Sequence, residues 1–213
     1  RSDHPVPGLD RVEDRRRRQP RAPVAEVGQR HDLEVDRIGE ALEHLGAHDR
    51  AVEIALQARS GDGALMAARA WSQAWPENRK ANHQVLQILL ALNQIEATLE
   101  PLKKDLALTP ESELAAALNL IPRHYARVTD KKRAAALVQQ ALTPYLAKND
   151  SNAAIAWTSL GRMRLASDDV AGALDAAKKG QAADIKAQGP TLLAMELMSK
   201  KIAGAEPLVQ QGL

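Results

Sequence analysis

The segment Arg133-Ala-Ala-Ala-Leu-Val-Gln-Gln-Ala-Leu142 returns 71 residues later as Gly204-Ala-Glu-Pro-Leu-Val-Gln-Gln-Gly-Leu213. Repetition at a fixed period makes each unit bury its apolar face against its neighbours, not in one central core. The offset is close to twice 35. Ala64, Ala97, Ala134, Ala173 and Ala205 fall at intervals of 33, 37, 39 and 32. A period near 34 accommodates two helices and their turns, and each alanine is read as opening the second helix of a pair. The expected architecture over 48–213 is all-α, an α-solenoid of antiparallel helix-turn-helix repeats.

Composition agrees with layers of helices. Phe and Cys are absent and aromatic residues are only 2%, so Ala and Leu must fill the core. Small side chains let helices approach closely and suit sheets poorly. Without cysteine there are no disulfides, no thiolate metal sites and no thiol nucleophile. A net charge of +2 creates no strong field toward any partner. No apolar run approaches the roughly 18 residues of a membrane span. Residues 85–92, interrupted by Gln87, read instead as a buried helix face.

In Ala156-Trp157-Thr158-Ser159-Leu160-Gly161, Trp, Leu and Gly stand at the spacing W-x2-L-G, with Ala173 twelve residues after the glycine. This resembles the tetratricopeptide repeat family in its bacterial forms, over roughly residues 49–213. The resemblance implies that Trp157 and Leu160 fill the gap between paired helices, and that backbones meet closely at Gly161 and Ala173. Pro76 and Pro110 match the proline that follows a second helix, although Ile185 stands at that place in the best repeat. Pro122 occupies a position where a small helical residue is expected, so it is expected to kink or divide its helix.

The resemblance further implies a non-catalytic scaffold whose first helices line a concave surface that receives a peptide or protein. Alignment on the alanine series puts Asn82, Asn119, Arg123, Thr158 and Arg162 on that surface. Arg123 and Arg162, 39 residues apart, hold equivalent places in adjacent repeats. Two guanidinium groups in one groove suit an acidic or carboxylate-bearing peptide. The Lys/Asn clamp of chaperone-binding members is not reproduced. Either bacterial cytoplasm or periplasm suits such a chain.

The helices are punctuated by recognisable signals. Thr109-Pro110-Glu111 reads as an N-cap followed by a first-turn proline, and Asp130 as the start of another helix. Asn149-Asp150-Ser151 and Gly189-Pro190 read as turns.

Residues 1–47 form a separate zone. Ten arginines lie within residues 1–50, including Arg15 to Arg18, while the first lysine is Lys80. Four of the 11 prolines also fall there. Residues 1–30 follow neither hydrophobic period and read as disordered. A weak helix follows near 33–46, with Ile38, Leu42 and Leu45 on one face. The arginine run offers the alternative function, contact with nucleic-acid phosphates. No aromatic residues interleave it and Glu13 and Asp14 dilute it, which favours a solvated tail. Arg, Pro, Gly, Ala and Asp without Lys is also what a GC-rich gene yields in a wrong reading frame. A chain that starts at Arg1 and stops at Leu213 inside a helical pattern reads as a fragment of a longer protein.

Chemistry is sparse. His44 and His48 are four apart, as on one helical face, but no third metal ligand accompanies them. Gly61-Asp62-Gly63 lacks the strand and the Lys-Ser/Thr of a phosphate loop and reads as an inter-helix turn. Asp168 and Asp169 read as turn and cap, and Trp71 with Trp75 as a packing ridge. No catalytic arrangement, metal or cofactor is expected.

Overall fold

The computed structural model describes residues 46–212. The arginine-rich segment, His44 and nearly all of the helix expected near 33–46 lie outside the described residues. The elements are α1, described over residues 46–57, then α2 (Gly61–Ala74), α3 (Arg79–Ala91), a 3-10 turn (Ile95–Thr98) and α4 (Leu99–Ala107). They continue with α5 (Glu111–His124), α6 (Lys131–Leu146), α7 (Ser151–Ala166), α8 (Val170–Ala183), α9 (Gln188–Ser199) and α10 (Glu206–Gln211). The described residues contain no strand, and none of their helices is long and apolar enough to cross a membrane. The result is a helical-pair repeat fold.

Short polar caps set the helix starts. Ser60, Asn78, Asp130, Asp150 and Asp169 each accept the backbone N–H three residues ahead, satisfying a donor that has no partner inside the helix. Asp168 adopts φ 61° just before the Asp169 cap, so the two acids are turn and cap. Three local readings change. Gly61-Asp62-Gly63 is the first turn of α2, because Ser60 caps there. Pro110, not Thr109, is the cap residue of α5, since Thr109 Oγ1 donates to the Asp105 carbonyl at 2.6 Å and closes α4. Gly189-Pro190 lies in the first turn of α9, where proline costs no helical bond.

The alanine series explains the packing. Ala64, Ala134, Ala173 and Ala205 are all 0% exposed. Ala97 is exposed, and Thr98 beside it takes the buried place. Thr98 fits because its hydroxyl is satisfied twice, donating to the Ile95 carbonyl at 2.7 Å and accepting from Tyr125 Oη at 2.9 Å. At Gly161 a Cβ would run into Leu193 Cδ2 and lie 3.2 Å from the Ala176 Cβ, so glycine permits the approach of α7 to α8 and α9. At Gly180 it would lie 3.2 Å from the Trp157 Cβ.

Pro122 does not divide α5, which runs on to His124. A proline at 122 cannot serve the carbonyl of Leu118, four residues earlier. That carbonyl instead accepts from Ser159 Oγ of α7 at 2.7 Å. The lost helical bond thus becomes a tie between repeats.

Candidate functional site

The first helices α3, α5, α7 and α9 are linked in a row by their side chains. Arg79 Nη1 donates to Glu113 Oε2 at 2.5 Å, Asn152 Nδ2 to Glu111 Oε1 at 3.1 Å, and Arg162 Nη2 to Glu196 Oε1 at 3.2 Å. Along this row α5 lies closely on α7 and α7 on α9, whereas α3 and α5 stand apart. Between them opens a cleft of about 240 Å³ floored by Leu102, Asp105 and Leu106 of α4. Arg79 and His83 line it from α3, and Ala117, Leu120, Ile121 and His124 from α5. Leu120 is 41% exposed.

Asp105 is the unusual group here. It shares the inner face of α4 with Leu102 and Leu106 and is only 5% exposed. A carboxylate so placed must be compensated. His83 Nδ1 lies 3.3 Å from its Oδ1 and Arg79 Nε lies 3.9 Å away. An ionised carboxylate can only accept, so Nδ1 carries the imidazole proton. The other ring nitrogen, Nε2, is left to accept from the Gln87 amide at 3.3 Å. The His124 ring stands edge-on to that of His83, with centroids 5.9 Å apart and planes at 68°. Burial is the main reason that the His124 pKa is lowered. His83 and Arg123 add to the effect and Asp105 opposes it.

The residues expected on the groove divide into two sets. Asn119 and Arg123 are exposed on α5, and Arg123 has no carboxylate partner among the described residues. Arg162 is partly exposed but already paired with Glu196. Asn82 and Thr158 do not present free groups. Asn82 is 3% exposed and donates to the Pro101 carbonyl at 2.8 Å, tying α3 to α4. Its misplacement follows from Ala97: with Thr98 as the buried counterpart of Ala134, the residue equivalent to Asn119 is His83. Thr158 is 1% exposed, donates to the Ala154 carbonyl at 2.8 Å, and packs where a Gly189 side chain would stand. Of the repeat-signature residues, Leu160, Gly161 and Ala173 are buried, and Trp157 is half-buried with Lys179 Nζ 4.9 Å from its ring centroid. Trp71 lies in the core beside a half-buried Trp75, so neither forms a free stacking platform.

His83, Asp105 and His124 come from three helices, and their sequence separations follow no ligand pattern. The available signal was Asp105 itself, a carboxylate on an otherwise apolar helix face.

No family model matches the sequence, and no curated protein does. The solved structures that match include the following three. One is described as a MamA RS-1 ArsTM double mutant (15% identity, 78% of this chain and 89% of that one, TM-score 0.41). Another is MamA from residue 41 to its end, from Desulfovibrio magneticus RS-1 (16% identity, 78% and 90%, TM-score 0.38). The third is a crystal structure of MamA protein (17% identity, 80% and 91%, TM-score 0.40).

Proposed function

We propose that this chain is a tetratricopeptide-class scaffold, without catalysis of its own, that binds an extended acidic segment of a protein partner across its row of first helices. A large apolar side chain of the partner enters the cleft between α3 and α5, and a neighbouring carboxylate meets Arg123, with Arg162 further along the row. The observation that carries this reading is the cleft itself: it opens where adjacent first helices would otherwise pack, and Leu120 stands exposed in its wall. Apolar side chains with a few polar and charged groups among them are the usual lining of a binding pocket. The alternative reading through the arginine run involves residues outside the described ones.

The test is a random peptide library displayed on phage and selected on the chain. Recovered peptides are expected to share a large apolar residue within a few positions of Asp or Glu. Ala117→Trp, which fills the cleft, is expected to abolish binding. Arg123→Ala with Arg162→Ala is expected to weaken it at least about tenfold, since each charged hydrogen bond contributes about 1.5 to 3 kcal/mol. Lys178→Ala, on a second helix, serves as the control. Peptides that bind the Ala117→Trp chain as well as the original exclude the reading.

A further inference from the structure

The geometry points to a transition-metal site in the same cleft, in which the imidazoles of His83 and His124 bind one divalent ion and so tie α3 to α5. Among the described residues no three ligands are already gathered around one point, so the site consists of two imidazoles completed by water.

Two features favour it. A metal–nitrogen bond of about 2.0 to 2.1 Å places two imidazoles of one ion with their ring centres roughly 5 to 6.5 Å apart, depending on the angle at the metal. The observed separation, 5.9 Å, lies within that span; with His83 held by Asp105, turning the His124 ring alone would aim its nitrogen at a shared ion. The second feature is the tautomer. A metal-binding histidine commonly donates its other N–H to a carboxylate, which fixes the ring and raises its basicity. His83 already makes that bond, through Nδ1 to the nearly buried Asp105. Its remaining nitrogen is bonded to the amide of Gln87, which a metal would displace.

The ligand set selects the ion class. Imidazole suits zinc, nickel and copper, whereas magnesium and calcium prefer a shell of oxygens. The chain has four further histidines, His4, His31, His44 and His48, which any test has to separate from this pair.

The experiment is a calorimetric titration of the metal-free full chain with Ni²⁺ near pH 7.5. A 1:1 site is expected that persists in the His44→Ala, His48→Ala chain, weakens at least tenfold in His83→Ala, and weakens likewise in His124→Gln. Asp105→Asn is expected to weaken it about tenfold or more, because the orienting carboxylate is lost. Circular dichroism checks that each variant keeps its helix content, and amide resonances of α3 and α5 give a second measure by broadening with Ni²⁺. Magnesium at the same concentration is expected to do nothing. Nickel affinity unchanged by combined loss of His83 and His124, or lost only with His44 and His48, overturns the proposal.

Discussion

Ser159 donates across the repeat boundary to the carbonyl of Leu118, the acceptor that Pro122 leaves without a helical N–H. Both Ser159 and Leu118 are 0% exposed, so nothing else can satisfy that oxygen if the hydroxyl is removed. Ser159→Ala is expected to cost about 1 to 3 kcal/mol, the range for an orphaned buried polar group. Pro122→Ala restores the N–H that the carbonyl lacks. Ser159→Ala should therefore cost less in a Pro122→Ala background, and a double-mutant cycle in urea measures the difference. Additive effects would mean that the two residues do not share the acceptor.

The Thr98–Tyr125 bond predicts an alkaline limit. Burial pushes the Tyr125 pKa up to about 12, against 10 for a free tyrosine. Between those values the folded chain holds a proton that the unfolded chain releases. Stability from this group is therefore intact below about pH 10 and is lost as pH rises toward 12. Thermal unfolding from pH 8 to 11 should show a decline that flattens in Tyr125→Phe, which itself costs about 1 kcal/mol at neutral pH through the lost bond.

Ala173 is a test of repeat register. It is 0% exposed where α8 meets α7 and α9, so Ala173→Leu should overpack and cost about 1 to 3 kcal/mol. Lys200→Ala, on the surface, should change stability by no more than about 0.5 kcal/mol. Equal urea midpoints for the two would place the helix contact elsewhere.

Asn93 joins two successive turns. Its Nδ2 donates to Thr129 Oγ1 at 2.8 Å and its Oδ1 accepts from the Thr129 N–H at 3.1 Å, while its own φ is 54°. Asn93→Gly loses the bonds but relaxes the left-handed backbone, whereas Asn93→Ala loses both advantages. The alanine variant should therefore be the less stable, by about 0.5 to 1 kcal/mol. The reverse order would show that the backbone at 93 is not held left-handed in solution.

The fold was legible to the extent that one residue type did one job. Alanine marks close helix contacts, and four of the five alanines in the series are buried at such places. The exception shows the limit of that signal. Ala97 and Thr98 are both small, and nothing local says that Thr98 would win through a hydroxyl partner 27 residues away. That single step carried Asn82 onto the groove and kept His83 off it. Pro122 leaves its helix undivided for a related reason: the acceptor it abandons is satisfied by Ser159, 41 residues further along. The cleft was illegible because its histidines are unrelated by any short spacing. A carboxylate in the register Leu102, Asp105, Leu106 did announce a buried ion partner, without saying which.

The standoff of α3 from α5 also has a mechanical consequence. On the opposite side α4 lies closely on α6, so at this junction the described stack is joined along one edge and slit along the other. A beam notched in this way has its compliance concentrated at the notch. Thermal bending would open and close the slit about the α4–α6 edge, with Arg79 and Glu113 acting as a tether across its mouth. The pairs on either side would swing as two stiff arms, and the rest of the stack would keep its pitch.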